Sequence, residues 1–363
     1  VALSRQIAAY GAAGFPLVQF RGKPLDAVAQ MGELRAALQA AAADGGWPLI
    51  CVNDRVDLAV VAAAEGLAPW GLHLGQEDLP HREAAKLPGL AGLRFGASTH
   101  TPAEWQGATA DHAGVGPFRA TGTKADHAAP IGLEGLRAGC AALRAKGIAP
   151  VAIGGLRIED SEACFRAGAE SLAMVGTLAE AQDPASQGWV AQRARWRARP
   201  LDLQGGVLLA GSSGAGKSTL GAALAEGLGL PFHDLDAAIE AAEGQAVAAI
   251  FAARGEAAFR ALESAHLAPL LERPSVVALG GGAWETEAVR LAAAASGFAA
   301  LWLAEPPARC WARVAGDPAR PLAQDQDAFM ARHRARLPRW AELPCILPFG
   351  RGAAEVARAL LAP

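Results

Sequence analysis

Apolar residues along this chain come in short runs, separated by longer alanine-rich stretches whose apolar positions recur at helical spacing. In the first half the runs are FPLVQF (15–20), PLICV (48–52), WGLHLG (70–75), LRFGAS (93–98), HAGVGP (112–117), APVAIGG (149–155) and SLAMVG (171–176). Between them lie segments such as LRAALQAAAADGG and GLEGLRAGCAALRAKG, periodic and closed by glycine, as helix ends are. Short strands alternating with helices predict repeated βα units and a parallel sheet. Strands that end in Gly, Ser, Asn or Asp predict a (β/α)8 barrel with its site at the strand C-termini. Seven such runs occur, and a helix at about 4–13 precedes the first of them. The opening strand of the barrel is therefore expected to be a remnant at VAL, to lie before residue 1, or to be missing.

The pattern fades after LAEAQDPASQGW. Residues 183–204, with their arginine cluster, read as a polar, basic connector helix rather than a binding patch. GGVLLAG (205–211) then opens a second α/β unit that runs to the C-terminus. The expected organisation is a barrel over 1–182, a linker over 183–204, and a second domain with a parallel sheet over 205–363.

Composition narrows this picture without changing it. A chain of 363 residues, 52% hydrophobic and 19% charged, is long enough for two domains and apolar enough to fill their cores. A net charge of −3, with acidic and basic residues spread along the chain, predicts neither nucleic acid nor an acidic membrane face as partner. No apolar stretch reaches the ~20 residues of a membrane span. The five cysteines stand far apart and read as buried free thiols of a reducing compartment. The expectation is a cytoplasmic protein acting on small molecules, with room for a homo-oligomer formed through the barrel.

The sharpest local signal is GSSGAGKST, which fits G-x-x-x-x-G-K-[ST] between an apolar strand and a helix-like stretch. In such a P-loop the backbone of Gly211, Ser212, Ser213, Gly214, Ala215 and Gly216 closes around phosphates. Lys217 reaches the β/γ oxygens, Ser218 holds Mg2+, and Thr219 continues into the helix. The motif implies bound ATP and is silent on the acceptor. FHDLDAAIE places Asp234 and Asp236 two apart at a strand end, so that both face one crevice. IFAARGEAAFRALE carries Arg260 with Glu256 and Glu263 on one helix. VVALGGG ends a buried strand in Gly280, Gly281 and Gly282. GDPARPL holds Arg320, and RLPRW holds Arg336. Singly, each arginine reads as a solvated surface residue.

Together these elements resemble shikimate kinase over about 205–350, in the family's order. The resemblance implies that Asp236 takes the acceptor hydroxyls and serves as proton acceptor. It further implies that Arg260 and Arg336 pair with the substrate carboxylate, that Gly280–Gly282 line the ring, and that Asp234 acts through Mg2+ water. Arg320 would close over the transferring phosphate, and Arg313 would lie near adenine. The lid reads Arg-Pro-Leu-Ala where a second leucine is usual, and Trp340 stands where tyrosine is commoner; neither change removes a charge. A different reading makes this half another small-molecule kinase, such as a gluconate or nucleoside-monophosphate kinase; the Asp234 and Asp236 pair with Arg260 and Gly280–Gly282 argues against it.

In the first half the polar residues sit at successive strand ends. Gln19, Arg21 and Lys23 alternate in QFRGK; Asn53 and Asp54 follow in VNDR; Gln76 and Asp78 stand in HLGQEDL, Ser98 in GAST, and Thr121, Thr123 and Lys124 in GPFRATGTK. Gly154, Gly155 and Gly176 offer bare backbone. Two aspartates with two lysines and an arginine suit a Mg2+–diphosphate ligand, and the glycine turns suit a second phosphate.

This set resembles thiamine-phosphate synthase over about 5–182. The resemblance implies that Asp54 and Asp78 bind Mg2+, and that Arg21, Lys23, Asn53 and Lys124 hold the diphosphate of a hydroxymethylpyrimidine diphosphate. Gln19 and Ser98 would contact its pyrimidine; Thr121, Thr123, Gly155 and Gly176 would receive a thiazole phosphate. It implies a dissociative reaction: diphosphate departs, and the thiazole nitrogen captures the pyrimidine methyl cation. Gly176 replaces a common serine, and APW (68–70) lengthens one approach. The chain is therefore expected to be a bifunctional enzyme. The other reading is a shikimate kinase carrying a degenerate barrel that serves as ligand sensor or scaffold.

Overall fold

A computed structural model describes residues 2–120, 129–317 and 320–362. The chain divides into two compact units, one of residues 1–41 and 48–199, the other of residues 42–47 and 200–363.

The first unit is a parallel, curled sheet of seven strands in sequence order, β1 (Leu17–Phe20), β2 (Leu49–Asn53), β3 (Gly71–Leu74), β4 (Arg94–Thr99), β5 (His112–Val115), β6 (Ala149–Ile153) and β7 (Ser171–Ala173). Each strand follows an apolar run read from the sequence, and the helix Leu3–Ala13 precedes β1 as expected. β3 is buried along its whole length, because neighbours and helices cover both faces of a parallel sheet. β1 and β7 are the edges of this sheet among the described residues, and their side chains are correspondingly more exposed. The unit is thus a (β/α)8-type barrel in which seven strands are described.

The segment expected to be a polar connector helix is a helix, but it packs as part of the first unit. Pro184–Ala198 is a helix of the first unit, with Asp183 capping its start by accepting from Ser186 N. Trp189 and Trp196 are buried and meet edge to face at 5.7 Å. Arginines here are spent on partners: Arg197 Nε donates to Glu162 Oε2 at 2.7 Å, and Arg199, just past the helix end, lies 3.1 Å from Glu170. Apolar positions hidden between arginines mask the buried face in a linear reading.

The second unit is a five-stranded parallel sheet, with β8 (Val207–Ala210), β9 (Phe232–Asp234), β10 (Val276–Ala278), β11 (Ala299–Leu303) and β12 (Cys345–Ile346) in the order β12-β11-β8-β10-β9. β8 is central and wholly buried. The chain leaves it for β9 at the far edge, so the loop after β8 opens at a switch point of the sheet, where α/β folds bind ligands. A long helix, Val247–Leu270, is broken at Gly255 (φ 77°, ψ 174°), which separates the part bearing Arg260 from the turn before it.

No helix among the described residues is long and apolar enough to cross a membrane. None of the five cysteines is joined in a disulfide. Burial pushes Cys51, Cys140, Cys164 and Cys310 up to about 12, which makes them inert as nucleophiles; Cys345 is half-buried.

Candidate active sites

In the second unit the loop after β8 turns through positive φ at Gly211 (141°), Gly214 (80°) and Gly216 (96°), conformations that side chains resist. The helix Lys217–Leu228 follows directly, so its N-terminus lies at the loop, the arrangement that suits an anion. Lys217 is buried, its ammonium donating to Gly211 O (3.0 Å) and Ser212 O (2.8 Å). Burial lowers its pKa to about 8 against the pull of Asp236. Ser218 Oγ donates to Asp234 Oδ2 at 2.6 Å.

Asp234 and Asp236 do not share one extended segment. Asp234 ends β9 and its Oδ1 accepts from Asp236 N (3.1 Å) and Ala237 N (3.4 Å), which starts the helix Leu235–Glu243. An aspartate at a strand end that caps the next helix turns the chain at once, so period-two reasoning fails there. Both carboxylates nonetheless stay at the site. Burial raises the pKa of Asp236, as does the Asp234 charge beside it; Lys217, Arg320 and Arg260 oppose the rise. Four charged residues from separate elements thus surround Asp236.

The glycine triplet closes the same space. A Cβ on Gly280 would stand 2.3 Å from Glu263 Oε1 and 2.7 Å from Asp236 Oδ1; one on Gly282 would stand 2.3 Å from Arg260 Nη2 and 2.8 Å from Arg336 Nη2. Gly281 lies against Ser213 N of the phosphate loop at 3.3 Å by the same measure. Arg260 donates to Glu263 and Glu256, both at 2.6 Å, and Arg336 Nε donates to Glu285 Oε2 at 2.9 Å. Arg320 Nη1 donates to Ser213 Oγ at 2.9 Å, and Arg313 Nη1 to Gly214 O at 3.0 Å. Among the described residues Asp236 Oδ1 and Glu263 Oε1 are buried without a hydrogen-bond partner, a costly state that a hydroxyl-bearing ligand would relieve. Glu263, fully buried, is pushed up to about 7, chiefly by burial. The sequence reading places Glu263 on the helix of Arg260 but gives it no part in the site; its i, i+3 spacing from Arg260 was the available signal. Glu285 carried none.

In the first unit the strand ends also converge. Lys23 Nζ lies 3.3 Å from Asp54 Oδ2. Asp54 takes a positive φ (62°), with its N–H donating to His73 O, which points the chain end of β2 towards β3. Asp78 Oδ2 accepts from Gly75 N at 2.6 Å; burial, then the Asp54 carboxylate, raises its pKa, while Lys23 and that bond oppose the rise. Gln76 Nε2 donates to Ser98 O at 2.5 Å, and His73 Nε2 and Ser98 Oγ are bonded at 3.0 Å. Gln19 lies in β1 with Arg21 just beyond its end, and Asn53 is the last residue of β2. Gly154 and Gly155 follow β6 at φ 83° and 64°, packed against Pro117 and Arg119. Gly176 opens the short helix Gly176–Ala179, and the nearest neighbour to a Cβ there is 3.9 Å away. Thr121, Thr123 and Lys124 lie outside the described residues. Among the described residues no cluster of three or more His, Cys, Asp or Glu forms a metal cage.

A phosphate loop walled by two carboxylates and arginines defines a phosphotransferase of the P-loop class, here in one chain with a phosphate-handling α/β barrel. A family model for thiamine monophosphate synthase matches residues 2–178, and one for shikimate kinase matches residues 213–347. The chain is 42% identical over 186 residues to a thiamine-phosphate synthase of Gloeobacter violaceus, covering 50% of this chain and 51% of that protein. To the thiamine-phosphate synthase of Moorella thermoacetica it is 39% identical over 179 residues, 48% of this chain and 80% of that one. A shikimate kinase from Acinetobacter baumannii, solved in complex with shikimate, is 32% identical, covering 43% of this chain and 90% of that one with a TM-score of 0.41. The chain belongs to the thiamine-phosphate synthase family through its first half and carries a shikimate kinase domain in its second. It spans about half the length of the Gloeobacter relative.

Proposed function

We propose that the protein is a two-site enzyme. One site phosphorylates shikimate from ATP, and the other joins hydroxymethylpyrimidine diphosphate to thiazole phosphate, releasing pyrophosphate. The observation that carries the first reading is the convergence on Gly280–Gly282 of Asp236, Glu263, Arg260 and Arg336, beside the phosphate loop. Phosphoryl transfer needs positioning and charge neutralisation more than covalent chemistry, and this wall supplies both. Arg260 and Arg336 grip the acceptor carboxylate through forked hydrogen bonds. Asp236 receives the hydroxyl proton. Lys217 and Arg320 neutralise the phosphoryl oxygens, and Arg313 lies beside the base.

In the barrel, Asp54 beside Asp78 is a donor pair suited to a hard cation, since burial and mutual repulsion leave Asp78 short of positive charge. Those two residues would hold Mg2+ there, as Ser218 and Asp234 would in the kinase. Bound at either place, the ion offsets phosphate charge. Lys23, Arg21, Asn53 and Lys124 hold the diphosphate and stabilise its departure, while Gln19 and Ser98 orient the pyrimidine. Thr121, Thr123, Gly155 and Gly176 take the thiazole phosphate. No general base is required, because the thiazole nitrogen attacks a cation.

Both activities are tested on the whole chain. ATP turnover should depend on shikimate and not on gluconate, and pyrophosphate release should require both thiamine precursors with Mg2+. Pyrimidine diphosphate that binds without turnover would turn the barrel into a sensor; turnover with gluconate would overturn the acceptor.

A further inference from the structure

Glu305 takes no part in either proposed reaction, yet it is a carboxylate only 4% exposed. A buried charge is costly unless its partners are well placed. It stands two residues beyond β11, ahead of the helix Pro307–Val314. Its Oε1 lies 3.5 Å from Arg309 Nη1 and 3.4 Å from Arg313 Nη2. Arg313 in turn spans to the phosphate loop, its Nη1 donating to Gly214 O at 3.0 Å and Ala215 O at 3.4 Å. The loop is packed hard on that helix: a Cβ on Gly214 would stand 2.3 Å from Cys310 O. One edge of the Arg313 guanidinium is thus tied at both nitrogens, while its side chain remains half exposed.

We propose that Glu305 is a positioning residue of the nucleotide site, which holds the Arg313 guanidinium plane beside the phosphate loop as a platform for a purine base. The arrangement suits arginine and not lysine. A planar fork tied at two nitrogens keeps its orientation, and its flat face stacks on an aromatic ring. The acid does not touch the nucleotide; it acts through Arg313. The inference rests on the kinase reading for the nucleotide site and not for the acceptor, since nucleotide binding is measurable without one.

The test is equilibrium binding of Mg·ADP and Mg·CDP to the full chain. The parent should prefer the purine. Glu305→Gln, which keeps shape and loses charge, should weaken ADP binding about tenfold and narrow the preference over CDP. Arg313→Ala should give the same loss, and adding Glu305→Gln to it should change nothing further. Unaltered ADP affinity in Glu305→Gln overturns the proposal, as does an equal further loss in the Arg313→Ala background, which would mark a purely structural acid. Should Glu305→Gln fail to fold, Arg313→Lys, which keeps the charge without the fork, must lose the purine preference; retention of it overturns the proposal. A parent that binds ADP and never phosphorylates shikimate would refute the kinase reading and leave this inference standing.

Discussion

At the scale of single residues, the acceptor wall works because Gly280 has no side chain. Its backbone lies so near Asp236 and Glu263 that an added Cβ must displace their buried carboxylate oxygens. Gly280→Ala is expected to raise the acceptor KM at least tenfold while nucleotide affinity stays unchanged, read by steady-state kinetics with a parallel binding titration. Glu263 gives a second prediction, with a definite sign. Its folded pKa of about 7 lies above the ordinary 4.5, so the folded state binds the proton more tightly than the unfolded one. Its contribution to stability is present below 4.5 and is lost as pH rises towards 7. Glu263→Gln should remove that part of the pH dependence. The Tm difference between variant and parent should be smallest near pH 4.5, grow to about pH 7 and level off, as thermal melts across that range would show.

At the scale of elements, the helix Pro184–Ala198 is the place where linear reading and structure part. Its arginines advertise a solvated connector, while Trp189 and Trp196 pack into the first unit. Trp189→Ala should destabilise the first unit by roughly 3–5 kcal/mol, the usual cost of deleting a buried aromatic. In a two-step melt this lowers the transition tied to loss of pyrophosphate release, and shikimate-dependent turnover marks the other. The β9 end shows the same limit from the opposite side. Two aspartates two residues apart read as one face of a strand, but the first caps a helix and the second lies in its opening turn. Both still reach the site, because a helix N-terminus after a parallel strand faces the same crevice as the strand's end.

At the scale of the whole molecule, the two sites are assembled in separate compact units. Lys217→Ala is expected to abolish shikimate-dependent ATP turnover and leave pyrophosphate release intact, and Asp78→Asn to do the reverse; a variant that silences both activities would contradict independent sites. What the sequence determined by itself was local: the strand runs, since burial between helices demands continuous apolar residues, and the phosphate loop, since its glycines and lysine act within one short segment. The seven strands of the first unit and the central strand of the second were legible for that reason. Tertiary structure alone decided which carboxylate faces which arginine, which acids are buried and so shifted, and that an arginine-rich segment hides a tryptophan face. Those outcomes depend on distances between segments far apart in the chain and on exclusion of water by their packing, neither of which has a linear signature.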